Sequence, residues 1–163
     1  HCAARMPQMS DLSTVHGVRL IELALITGEN GSLIVGERPT HLPFATERIF
    51  TLLGIPDGEV RGTHAHRECE QFLICMRGSV TAIVDDGEHR AETVLDRPTV
   101  GLFMPALTWG TQDRYSSDAM LLVLASHPYD ADDYIHDYDE FVALVQERPS
   151  RYAGGGTRPS IVE

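Results

Sequence analysis

The sequence predicts an all-β domain, a sandwich or barrel, with one short helix near its C-terminal end. Short apolar or alternating segments recur at spacings of about ten residues along most of the chain. Turn residues separate them, as in Gly28-Glu29-Asn30-Gly31, Gly54-Ile55-Pro56-Asp57-Gly58 and Asp85-Asp86-Gly87-Glu88. Only the segment around Phe141, Leu144 and Val145 carries apolar residues at helical spacing, and Asp137 or Asp139 stands where it would cap that helix.

In chain order, 18–26 alternates in part and reads as a first strand, followed by the short run 32–35. Residues 48–53 form a third strand, closed by the Gly54–Gly58 turn. Residues 71–76 (Gln-Phe-Leu-Ile-Cys-Met) make a strongly apolar strand ended by Arg77-Gly78, and 79–84 runs into the hairpin turn at Asp85–Glu88, where Gly87 tolerates the positive φ such turns need. The segments 90–95, 99–104, 108–115 and 119–125 complete the series, with 95–98 as a loop. The folded domain is expected over 18–148, with 1–17 as an N-terminal extension or remnant. The tail 149–163, which contains Gly154-Gly155-Gly156, is expected to be flexible.

The 163 residues fit one domain, long enough to bury a core without disulfides. A formal net charge of -11 argues against nonspecific nucleic-acid binding, which needs a basic footprint, while local arginines can still hold a small anion. No apolar run reaches membrane-spanning length, and no membrane partner is expected. Cys69 and Cys75 sit in or beside an apolar strand and read as reduced core thiols, which suits a cytoplasmic protein.

The most informative segment is Arg61-Gly62-Thr63-His64-Ala65-His66-Arg67-Glu68-Cys69-Glu70-Gln71. Alternate side chains of a strand share a face, so His64 and His66 project together, and Glu70 would join them if the strand continued. Two readings follow. The three side chains could hold an iron-like ion with open positions. Alternatively, with no metal, the imidazoles could carry protons, because histidine titrates nearest neutral pH.

His64-x-His66-x-x-x-Glu70 followed by Gly78 resembles the first motif of the cupins, which are jelly-roll barrels. The stretch 101–112, where a second metal-binding motif would lie, contains no histidine. The likeness then narrows. Arg61 to His66, Glu70-Gln71, Gly78-Ser79, Asp85-Asp86-Gly87, Trp109, Val123 to Ser126 and Tyr129-Asp130-x-x-Asp133-Tyr134-Ile135-x-Asp137-Tyr138-Asp139-x-Phe141 resemble the sugar 3,4-ketoisomerases, which act on dTDP-4-keto-6-deoxyglucose. The resemblance covers roughly residues 18 to 145.

It implies a metal-free isomerase without a cofactor. His64 and His66 would be catalytic, taking the proton at C3 and returning one at C4 through an enediol. Arg61 and Arg48 would face the diphosphate or a sugar oxygen, and Trp109, Gln71, Asn30 and Phe50 would contact the substrate, a dTDP-linked keto-deoxysugar. The chain departs from the family where it has Asn30 in place of arginine or tyrosine, Phe50-Thr51 in place of an aromatic pair, and Gly110 in place of histidine or arginine after the tryptophan. Two other readings stand beside this one: a metal-dependent cupin enzyme using His64, His66 and Glu70, and a noncatalytic nucleotide-sugar-binding cupin. A homodimer is expected, because the apolar strand around Leu20 to Ile26 is a possible sheet edge that needs cover.

Overall fold

The structure, a computed structural model, describes residues 11–148. Its strands are β1 (Arg19–Glu22), β2 (Ala24–Gly28), β3 (Gly31–Val35), β4 (Arg48–Leu53), β5 (Arg61–His66), β6 (Gln71–Arg77), β7 (Val80–Asp85), β8 (Arg90–Leu95), β9 (Val100–Met104), β10 (Trp109–Asp113), β11 (Met120–Ala125) and β12 (Tyr134–Ile135). One α-helix follows, α1 (Tyr138–Gln146), with 3-10 turns at Leu12–Thr14 and Ala131–Asp133. Five strands in the order β1-β9-β6-β11-β4 form one sheet, β12-β5-β10-β7-β8 form a second, and β2-β3 form a separate hairpin. Every pairing is antiparallel. The result is the cupin-like jelly roll that the sequence predicts.

The main core lies between the two five-stranded sheets, where alternation turns one face of each strand inward. Leu73 and Cys75 of β6, Leu102 and Met104 of β9, and Leu121 and Val123 of β11 meet Val80, Ala82 and Val84 of β7 and Ala91 and Leu95 of β8. On the outside of the first sheet, Phe72, Ile74 and Phe103 are covered by Leu23 and Phe44. Gly101 permits this packing, since a Cβ there would lie 2.1 Å from the Phe72 ring. Beside the second sheet, α1 buries Phe141 against Ala65 and Ile135. The helix starts where expected: the Asp137 carboxylate accepts from the Glu140 N–H.

Two expectations change. The single strand over 18–26 is two, because the chain breaks at buried Leu23, whose N–H donates to the Thr99 carbonyl. The N-terminal extension expected over 1–17 is partly core: Val15 is 1% exposed and Leu12 packs beside it, so the fold begins before residue 18. Residues 1–10 of that extension, and the tail over 149–163, lie outside the described residues. Cys69 and Cys75 are free and buried, as expected.

Candidate active site

At one end of the barrel the interior is not filled. A cavity of about 430 Å³ opens between the sheets, lined by Phe50, Leu52, Arg61, His64, His66 and Gln71, among others. Its floor is cut by two glycines on neighbouring strands. Gly62 has φ +82°, and a Cβ there would lie 2.8 Å from the Gly110 carbonyl oxygen; a Cβ on Gly110 would meet the end of Met104 at 2.5 Å. The next residue, Thr63, is also left-handed, at φ 62°. A β-branched residue in that region is strained, and such strain clusters at functional sites.

The two histidines of β5 do share a face. Their Nε2 atoms lie 3.2 Å apart and the rings meet edge to face. On its far side, His66 Nδ1 lies 2.9 Å from Asp133 Oδ2. Burial raises the Asp133 carboxyl, but the Glu68 amide, the His66 ring and the Cys69 amide outweigh it and hold the group below the usual carboxylate range. Asp133 is therefore ionised and accepts, so Nδ1 of His66 carries the hydrogen and Nε2 faces His64. Burial pushes both imidazoles down, His64 to about 4; at His66 the Asp133 carboxylate opposes that fall, while the charges of Arg48 and His136 add to it. A pair of this kind can take a proton at one ring while the other gives one up.

Asp133 is held by its surroundings. Its Oδ1 accepts from the Glu68 N–H, its Oδ2 also from the Cys69 N–H, and its carbonyl from the Arg67 N–H. The 3-10 turn and β12 lay this segment along β5, pairing Tyr134 with His66. Tyr134 lines the cavity with its ring 4.4 Å from that of His66 and 4.8 Å from that of His64. His136, an exposed residue, stacks on Tyr134 and stands 5.9 Å from His64.

The other expected residues divide. Arg61, Gln71 and Phe50 line the cavity. Arg48 does not line the cavity; its guanidinium lies over the ring of Phe50, which does, and over that of Tyr129, and its buried Nε has no partner among the described residues. Trp109 does not reach the cavity. Alternation along β10 turns its ring outward against Tyr138 and Phe141, under α1, while Gly110 faces in. Asn30 lies exposed in the turn between β2 and β3 and does not line the cavity either.

Glu70 does not join the histidines. β5 ends at His66, the intervening turn redirects the chain, and the Glu70 side chain lines a different cavity. The ligand set expected for a metal-dependent cupin is therefore not assembled. His66, Cys69 and Asp133 do bring donor atoms within 4.8 Å of one another. There, however, the carboxylate is already engaged by the His66 ring and two backbone N–H groups, the pattern of a network that orients His66.

Fold and site together define a cupin-like barrel enzyme with a contacting histidine pair in its cavity. The chain belongs to the family described as FdtA, WxcM-like, C-terminal, whose model matches residues 16–146. It is 39% identical over 127 residues to a TDP-4-oxo-6-deoxy-alpha-D-glucose-3,4-oxoisomerase of Aneurinibacillus thermoaerophilus, across 78% of this chain and 91% of that protein. Among solved structures it resembles a 3,4-ketoisomerase from Helicobacter canadensis, with TM-score 0.76, 37% identity and coverage of 80% of this chain and 98% of the other. It also resembles the 3,4-ketoisomerase QdtA from Thermoanaerobacterium thermosaccharolyticum, solved as a histidine-to-asparagine variant in complex with TDP-4-keto-6-deoxyglucose, with TM-score 0.78, 30% identity and coverage of 82% and 97%.

Proposed function

We propose that this chain is a nucleotide-sugar 3,4-ketoisomerase that moves the keto group of a dTDP-4-keto-6-deoxyhexose from C4 to C3. The observation that carries this reading is the Nε2–Nε2 contact of His64 and His66 inside a cavity, with Asp133 fixing the tautomer of one of them. The pair removes the C3 proton and a proton reaches the C4 oxygen, giving an enediol. The C3 hydroxyl then gives up its proton, C4 receives one, and the product is the 3-keto sugar. Protons and electrons balance with no external oxidant. Arg61 and Arg48 hold the diphosphate or a sugar oxygen, for which the planar guanidinium is suited. Gln71 hydrogen-bonds the sugar, and Phe50 forms an apolar wall.

Incubation of the enzyme with dTDP-4-keto-6-deoxyglucose in deuterated water tests this. Turnover places deuterium at the ring carbons beside the carbonyl, read by NMR or mass spectrometry. Binding without exchange leaves only the noncatalytic sugar-binding reading.

We also propose a cytoplasmic homodimer. Among the described residues no helix is long and apolar enough to cross a membrane, and nucleotide-linked sugars and reduced thiols suit the cytoplasm. The β2–β3 hairpin, a type of element that is marginal alone, exposes Leu25, Ile26 and Leu33, and the sheet edge β4 exposes Ile49 and Leu53. A second copy seated on these apolar strands covers them. Sedimentation at micromolar concentration is expected to give twice the chain mass; the mass of one chain excludes it.

A further inference from the structure

Chemistry at C3 and C4 sets an unusual demand on the groups that hold the sugar. At the start C4 carries a ketone, which only accepts a hydrogen bond, and C3 carries a hydroxyl, which donates and accepts; at the end the two have exchanged. A group that only donates, such as arginine, suits one state of each oxygen fully. An amide or a hydroxyl suits both, because it offers a donor and an acceptor.

Gln112 meets this demand. Its side chain lines the cavity beside the histidine pair, its residue is 8% exposed, and its amide has no hydrogen-bond partner among the described residues. The amide is open to the cavity, so a group that enters can complete its hydrogen bonds. The backbone is shaped around it: a Cβ on Gly62 would lie 2.9 Å from Gln112 Oε1, and a Cβ on Gly110 would lie 3.6 Å from its Nε2. Both glycines thus leave the amide its place between β5 and β10. Thr108, 4% exposed and on the same wall, likewise has no side-chain partner among the described residues.

We infer that Gln112 is a substrate-binding residue whose amide holds the sugar oxygens that exchange oxidation level. The inference rests on the ketoisomerase reading and adds to it the residue that grips the reacting end of the sugar. In the ground state Nε2–H donates to the ketone and Oε1 accepts from the hydroxyl. As the keto group moves, a half-turn about the Cγ–Cδ bond exchanges Nε2 and Oε1, and the same amide then serves the swapped pair.

The test compares the wild-type enzyme with Gln112→Leu and Gln112→Glu. Initial rates with dTDP-4-keto-6-deoxyglucose are measured alongside binding of dTDP alone, which has no sugar. Wild-type turnover secures the underlying reading; its absence sinks that reading and this one with it, whereas a failed variant result given turnover sinks this one alone. Given turnover, Gln112→Leu is expected to lower kcat/KM by about 10- to 100-fold, the usual size of a lost hydrogen bond that leaves a polar partner unpaired. Gln112→Glu, which keeps the shape and the acceptor but not the donor, is expected to lie close to Leu. Affinity for dTDP is expected to stay unchanged in both. Unchanged kcat/KM in a folded Leu variant overturns the inference, as does a loss of dTDP affinity, which would place the amide at the nucleotide. Full activity of the Glu variant would show that donation to the ketone is not required, and would overturn it as well. Should the Leu variant fail to fold, the Glu variant carries the same test.

Discussion

His66→Asn is expected to lower kcat by roughly 100- to 10,000-fold, the range that a positioned acid–base group supplies. His66 is the hinge of the site. Its Nδ1 is tied to Asp133 and its Nε2 to His64, so its loss breaks both contacts. Asparagine keeps a polar side chain in a site that is 5% exposed, without a ring that can accept and return a proton. The rest of the cavity wall is left intact, so KM and dTDP affinity are expected to change little. Rapid-quench measurement of 3-keto product, with thermal unfolding to confirm the fold, checks this. An unchanged kcat in a folded variant removes His66 from the chemistry.

The strand pattern made the architecture legible. Period-two alternation in β6, β9 and β11 puts Leu73, Leu102 and Val123 on one inward face, and the sequence alone carries that information. The His-x-His pair was legible for the same reason, since two side chains of one strand two residues apart must share a face. Contacts made by distant chain segments were not. Asp133 reaches His66 across 67 positions, and no local spacing encodes that partner.

Trp109 and Gly110 show the converse error. The motif drew attention to the large residue, yet strand parity turns the ring outward under α1 and gives the cavity the glycine. Parity counted back from Gln112, which also faces in, could have revealed this. Glu70 was misplaced because the strand was assumed to continue. Two consecutive residues with positive φ, at Gly62 and Thr63, and the turn after His66 break the simple alternation, and no count of spacing includes them. Asp133 and Tyr134 carried one usable signal: both are matched residues in the longest run of the family resemblance, which His136 interrupts.

Asp133→Asn is the second large effect, and it separates orientation from simple packing. The carboxylate contributes two things to His66: an acceptor that fixes hydrogen on Nδ1, and a negative charge that favours the protonated ring. Asparagine is nearly isosteric but can turn its NH2 group toward Nδ1, which selects the other tautomer and places a hydrogen on Nε2 where the lone pair is needed. A hydrogen bond to a charged group is worth about 1.5–3 kcal/mol, so kcat is expected to fall about 10- to 100-fold, with larger losses if the wrong tautomer dominates.

The pH profile distinguishes this from a structural defect. Burial already holds the His66 ring below its ordinary value, and the Asp133 charge opposes that fall. Removing the charge lowers the ring further, so the acid limb of kcat/KM moves to lower pH in Asp133→Asn. A variant that merely loosened the turn at Glu68 and Cys69 would lose melting temperature without moving that limb. Asp133→Glu, which keeps the charge and the acceptor on a longer stem, is expected to restore part of the rate. If Asn leaves both rate and limb where they are in the wild type, the carboxylate serves only the backbone amides, and the histidine pair sets its own protons.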